Sequence, residues 1–102
     1  MSTSAMLLPK SPRESDPSYL RWIKQQPEWR CLVTGRTGAV ACHLRSVGAG
    51  GSDYWVFPLI QSLHDESHRR PEFFYRHRRF MAEWYYQLPH IHARFRSHDS
   101  RQ

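Results

Sequence analysis

Prolines divide this chain more sharply than any other feature. A proline cannot donate to a helix or sheet ladder, and it pushes the residue before it away from helical backbone. Pro17, Pro27, Pro58, Pro71 and Pro89 therefore mark where regular elements can begin and stop. Asp16-Pro17 reads as a helix start, an acidic N-cap with proline at the first helical position. Tyr19, Leu20, Trp22 and Ile23 follow largely on one face, Arg21 and Lys24 fall outside it, and Pro27 ends the helix soon after. Pro58 keeps the apolar, β-prone run Tyr54-Trp55-Val56-Phe57 from extending as a central strand. Pro71 and Glu72 open a further helix after Arg69-Arg70, along which Phe73, His77, Phe80, Met81, Trp84 and Leu88 recur at helical spacing. Pro89 is expected to end it.

Between these marks lie shorter signals. Arg30 to Gly35 is β-prone, Arg36-Thr37-Gly38 is turn chemistry, and Val40 to Leu44 is a second short strand, which together suggest a hairpin. Ser46 to Asp53 holds Gly48, Gly50 and Gly51 and reads as a loop. From Gln61 the pattern is helical, with Leu59, Leu63 and Ser67 on one side. A chain of 102 residues has room for one domain. That domain is placed at 16–89, with 1–15 as a disordered N-terminal arm and 90–102 as a basic flexible tail. Trp22 and Trp55 are assigned to the core, and His77 to an apolar stripe.

Fifteen Lys+Arg against nine Asp+Glu give a formal charge of +6. Such an excess suits a polyanionic partner, nucleic acid or an anionic membrane. No run approaches the roughly 20 apolar residues of a bilayer span. The 72–88 segment is too mixed in polarity for a basic membrane-surface helix, so no membrane partner is expected. MSTSAMLLPK lacks the basic and apolar regions of a signal peptide, and Cys31 and Cys42 are too few for a disulfide framework. A cytoplasmic location, in a bacterial host cell, is expected. Arg69, Arg70, Arg76, Arg78 and Arg79 surround the helix that begins near Gln61; they read either as phosphate contacts or as a solvated basic face. Trp84-Tyr85-Tyr86 could stack bases, or form core or a dimer surface.

His64 and His68 stand four apart in LHDESH, one above the other on a helix, where both imidazoles can reach one metal ion. Upstream lie Cys42-His43 at a strand end, the Gly-rich loop and Asp53. A divalent metal held by histidines can polarise a phosphate, and a further histidine can take a proton from water. Those are the minimal parts for hydrolysing a phosphodiester with one metal. Cys42 as a nucleophile paired with His43 is set aside, because adjacent strand residues point to opposite faces.

The run ACHLRSVGAGGSDYWVFPLIQSLHDESHRR resembles the core of phage and prophage HNH proteins of the recombination-nuclease type. Those read A-H-H, a hydrophobic residue, a Gly-rich loop, Asp, a hydrophobic segment, Pro-Leu and H-x-E-x-H. SDPSYLRWIKQQP with CLVTG resembles their N-terminal helix and first β-turn, and PEFFYRH their closing helix, so the likeness covers about residues 16–80. It implies an α+β fold, a ββα-metal core with flanking N- and C-terminal helices, and divalent-metal-dependent DNA cleavage. By the same resemblance His43 is the general base and His64 and His68 hold one divalent ion, Mg, Mn, Ni or Zn. Cys42, where the family has its first His, or Asp53 is a possible third ligand; Asp53 could instead orient the base. Arg45, Arg69, Arg70, Arg76, Arg78 and Arg79 would meet DNA, and a homodimer is possible. Many such proteins carry a C-x-x-C zinc knuckle. Here Thr34 follows Cys31 at that spacing, and Ile60 and Leu63 take the later positions, so no structural zinc is expected. These departures keep open a catalytically degenerate HNH fold that binds DNA or protein, and a small basic inhibitor or adaptor of a host nucleic-acid machine.

Overall fold

The computed structural model describes residues 14–44 and 51–99. Helix α1 spans Pro17–Ile23, and Asp16 caps it by accepting the Tyr19 N–H on Oδ1 at 3.0 Å. Its last turn unwinds through bonds from the Gln25 and Gln26 N–H groups to the Trp22 and Ile23 carbonyls, ahead of Pro27. Tyr19 and Ile23 are its buried face.

The hairpin expected from 30–35 and 40–44 does not form. Cys31 N–H donates to the Arg36 carbonyl at 2.9 Å and Gly35 N–H to the Cys31 carbonyl at 2.8 Å, which closes the first segment into a tight turn. Gly35 and Gly38 sit at φ +75 and +81, backbone that glycine adopts without strain. Strand β1, Val40–Cys42, pairs instead with β2, Phe57–Leu59, antiparallel, with Ala41 opposite Pro58 and Cys42 opposite Phe57. A two-strand sheet tolerates Pro58 because each strand is an edge. The Pro58 carbonyl accepts the Leu32 N–H at 3.0 Å, so the misread segment still touches the sheet. Most of the Gly-rich stretch, with Arg45, lies outside the described residues, as do residues 1–13 of the N-terminal arm. The β-prone run at Tyr54 starts as a 3₁₀ turn, Asp53–Trp55, capped by the Ser52 hydroxyl on the Tyr54 N–H.

Helix α2 spans Gln61–Arg69, α3 spans Phe73–Arg76 and α4 spans Arg78–Asp99. Pro89 does not end α4. It removes one rung of the helix ladder, but Leu88, Ile91 and Phe95 continue the buried stripe across it. Residues 90–99 are therefore packed helix rather than a flexible tail. Burial of two large side chains beyond the proline, at about 1.5–3 kcal/mol each, outweighs the lost rung.

The two halves of α4 cover different neighbours. In the first half, the Trp84 indole N–H donates to the Val56 carbonyl at 3.0 Å, and its ring meets Trp29 edge-on at 5.8 Å. In the second, Phe95 packs edge-on against Tyr19 at 5.1 Å and meets Trp22 at 5.3 Å. Trp55 is corrected from core to surface at 46% exposure, and Trp22 is half-buried. The result is an α+β domain in which α2 packs on both strands and the 3₁₀ turn packs on α1.

Candidate functional site

His43 follows β1 immediately, so strand alternation turns it away from the side where Cys42 lies. Cys42 is 2% exposed, and burial pushes its thiol up to about 12 against a backbone hydrogen bond from Leu59. It packs in the core, where the sequence reading offers it as a possible third ligand beside the histidines. Cys31 is also buried; burial raises its thiol, but hydrogen bonds from the Thr34 side chain and from the backbone of Ile60, Thr34 and Val33 outweigh that and lower it. Positions 31, 34 and 60 thus surround one sulfur, with Thr34 supplying a hydroxyl where the resemblance expects a second thiolate.

The half-buried His43 meets Asp53 across the Gly-rich segment. Its Nε2 lies 2.8 Å from Asp53 Oδ1, and Asp53 is 1% exposed. The other oxygen, Oδ2, accepts the Asp16 backbone N–H at 2.8 Å. Asp53 N–H in turn donates to the Glu14 carbonyl at 2.9 Å. With both oxygens accepting, Asp53 orients the His43 ring and is poorly placed to serve as a metal ligand. Tyr54 hydroxyl donates to Asp16 Oδ2 at 2.5 Å. That bond, then burial and the charges of Asp16, Glu14 and Asp53, push the Tyr54 phenol up to about 12. Sequence reasoning assigned Asp16 to capping alone and gave Tyr54 no role; nothing local in the sequence links either to position 53.

His64 and His68 meet as their spacing requires. Their rings stand edge-on, centroids 4.6 Å apart, with the two Nε2 atoms 3.1 Å apart. Two nitrogens each about 2.0–2.1 Å from one tetrahedral ion lie about 3.3 Å apart, so the pair fits a shared metal. The Gln61 side-chain amide lies 3.3 Å from His64 Nδ1. The same amide nitrogen donates to Asp65 Oδ1 at 2.9 Å, which fixes the direction of the amide. Burial first, then the charges of His68 and His43, hold His64 below the usual histidine range, against an opposing pull from Asp65. A charge on His43 is therefore felt at His64, and α2 packs on both strands, which puts all three imidazoles in one neighbourhood. Among the described residues, no group of three or more His, Cys, Asp or Glu is arranged to hold a metal. His64 and His68 could thus supply two ligands to one ion.

The arginines are exposed but not equivalent. Arg70 lies 4.0 Å from Glu72, and Arg76 lies 3.9 Å from both Glu66 and Glu72. Arg78 stacks over the Tyr75 ring at 4.2 Å and donates to the Tyr75 carbonyl. Arg69 and Arg79 make no ion pair among the described residues. Trp84-Tyr85-Tyr86 divides by position on α4: Trp84 is buried, Tyr85 donates its hydroxyl to the Trp55 carbonyl, and Tyr86 is 84% exposed.

No curated protein and no solved structure matches this chain. A family profile does, over residues 1–88, and on that coverage the chain belongs to the family described as "Protein of unknown function (DUF968)".

Proposed function

We propose that this chain is a divalent-metal-dependent DNA endonuclease of the ββα-metal (HNH) type. The observation that carries the reading is His43, held by a buried carboxylate, in the neighbourhood of a histidine pair spaced for one ion. His64 and His68 would hold the metal, which would supply charge to stabilise the leaving 3′ oxygen. His43 takes the proton from the attacking water, and Asp53 keeps its ring aimed. Asp53 Oδ1 accepts from Nε2–H, so the ring tautomer presents Nδ1 as the base. Arg69 and Arg79, free of carboxylate partners among the described residues, are first in line for phosphates.

Nicking of supercoiled plasmid by purified protein tests this, with Mg²⁺, Mn²⁺, Ni²⁺ or Zn²⁺. Cleavage is expected to vanish with EDTA and to fall by at least about a hundredfold in His43→Ala and in His64→Ala, the range spanned by loss of a general base. A second reading has its own support. Cys42 is packed in the core and both Asp53 oxygens are engaged, which leaves His64 and His68 as the donors for the ion among the described residues. On that ground the fold could bind DNA without cutting it. Retarded DNA on a gel with no nicking under any metal would select this binding module over the nuclease.

A further inference from the structure

We propose that Asp16 and Tyr54 are positioning residues for His43, so that the cap of α1 aims the base; the proposal rests on reading His43 as that base. An N-cap needs one side-chain oxygen, and Asp16 Oδ1 fulfils it on the Tyr19 N–H. The rest of Asp16 is committed elsewhere. Its backbone N–H, turned outward by the non-helical φ of −143, donates to Asp53 Oδ2. Its second carboxylate oxygen accepts the Tyr54 hydroxyl. Capping alone accounts for neither bond.

Asp53 and Tyr54 are neighbours on the 3₁₀ turn, and they hold residue 16 from two sides. Asp53 takes its N–H, Tyr54 gives a hydroxyl to its carboxylate, and the Asp53 N–H reaches back to the Glu14 carbonyl. A carboxylate fixed at one oxygen cannot swing about its last torsion, so pinning Oδ2 fixes where Oδ1 points. Oδ1 is the atom that meets His43 Nε2. The line Tyr54 to Asp16 to Asp53 to His43 thus carries orientation from the start of α1 to the imidazole. Second contacts of this kind set ring tautomer and direction at histidine sites generally.

Tyr54→Phe removes the hydroxyl and keeps the ring that packs on Tyr19 at 5.2 Å. Asp16→Asn keeps the helix cap, since both residues cap well, and weakens the acceptor for Tyr54. In each variant kcat for plasmid nicking is expected to fall by about tenfold, short of the roughly hundredfold of a 1 Å misplacement, with KM for DNA unchanged. Independently of cleavage, nitrogen-15 correlation spectra of the His43 ring should show the Nε2–H tautomer in the parent protein. Both variants should show a larger share of Nδ1–H. The ring spectrum reads the brace even in a chain that cuts nothing, so failure of the nuclease reading and failure of the brace are separable. Identical His43 ring spectra in the parent and both variants would overturn the proposal.

Discussion

Tyr19 shows what a single buried oxygen can cost. Its side chain is fully buried, and its hydroxyl has no hydrogen-bond partner among the described residues. Burial, with Tyr54 nearby, raises the phenol well above its usual range. The ring itself is needed: it meets Phe95, Tyr54 and His92 within 5.5 Å. Tyr19→Phe keeps those contacts and removes an oxygen desolvated without return. Such a change is expected to leave stability unaltered or to raise it by up to about 1 kcal/mol in urea unfolding. A loss of about 1 kcal/mol or more would mean that the hydroxyl finds a partner in solution. Residues of this kind are not legible in a sequence. Position 19 reads as apolar by its period, and only the packing reveals that its polar end is stranded. Asp53 is the reverse case, legible as polar but not as the buried partner of a residue across the Gly-rich segment.

At the scale of elements, what could be read in advance had local causes. The start of α1 is written in Asp16-Pro17, and α2 in the spacing of His64 and His68, because caps and helical periods act over a few residues. The hairpin that the sequence suggests does not form, because β-preference at 30–35 carries no information about its partner. Two glycines in left-handed backbone turn that segment aside, and β1 finds β2 across the Gly-rich segment. The His43–Asp53 contact depends on that same closure, so neither could be read from neighbouring residues. Pro89 is the opposite case, a correct local rule overridden by packing at Ile91 and Phe95. The rule still leaves a trace. Pro89 is exposed, and it deprives the Tyr85 carbonyl of its helical donor. Pro89→Ala is expected to raise stability by about 1–3 kcal/mol, the difference between proline and alanine within a helix. Thermal unfolding checks this, at about 4–8 °C per kcal/mol for a domain of this size. An unchanged or lower midpoint would show that the proline sets a bend the packing requires.

Across the whole molecule, the +6 charge is distributed unevenly in what it leaves available. Arg70 and Arg76 face carboxylates, Arg94 bridges to Glu28, and Arg69 and Arg79 keep no such partner among the described residues. If DNA is the partner, Arg79→Ala should weaken binding about equally for unrelated sequences. It should also lower the slope of log affinity against log salt by about 1. Fluorescence anisotropy over a salt series measures both, and an unchanged slope would place the phosphate contacts elsewhere. Arg76→Ala should move the slope less, because its charge is already shared with Glu66 and Glu72.

The second half of α4 also fixes an order of events. Tyr19 rests on His92 and Phe95, Trp22 meets Phe95 and His98, and Glu28 is bridged to Arg94. During synthesis the strands and the histidine helix leave the ribosome before any of those partners exist. Helix α1, though made first, can meet the 3₁₀ turn through Asp16 and Tyr19 early, but its contacts with His92, Phe95 and His98 wait until residues 91–99 have emerged. If His43 is the base proposed above, the Asp16–Asp53 contact that aims it gains the support of α4 only once residues 91–99 have been made.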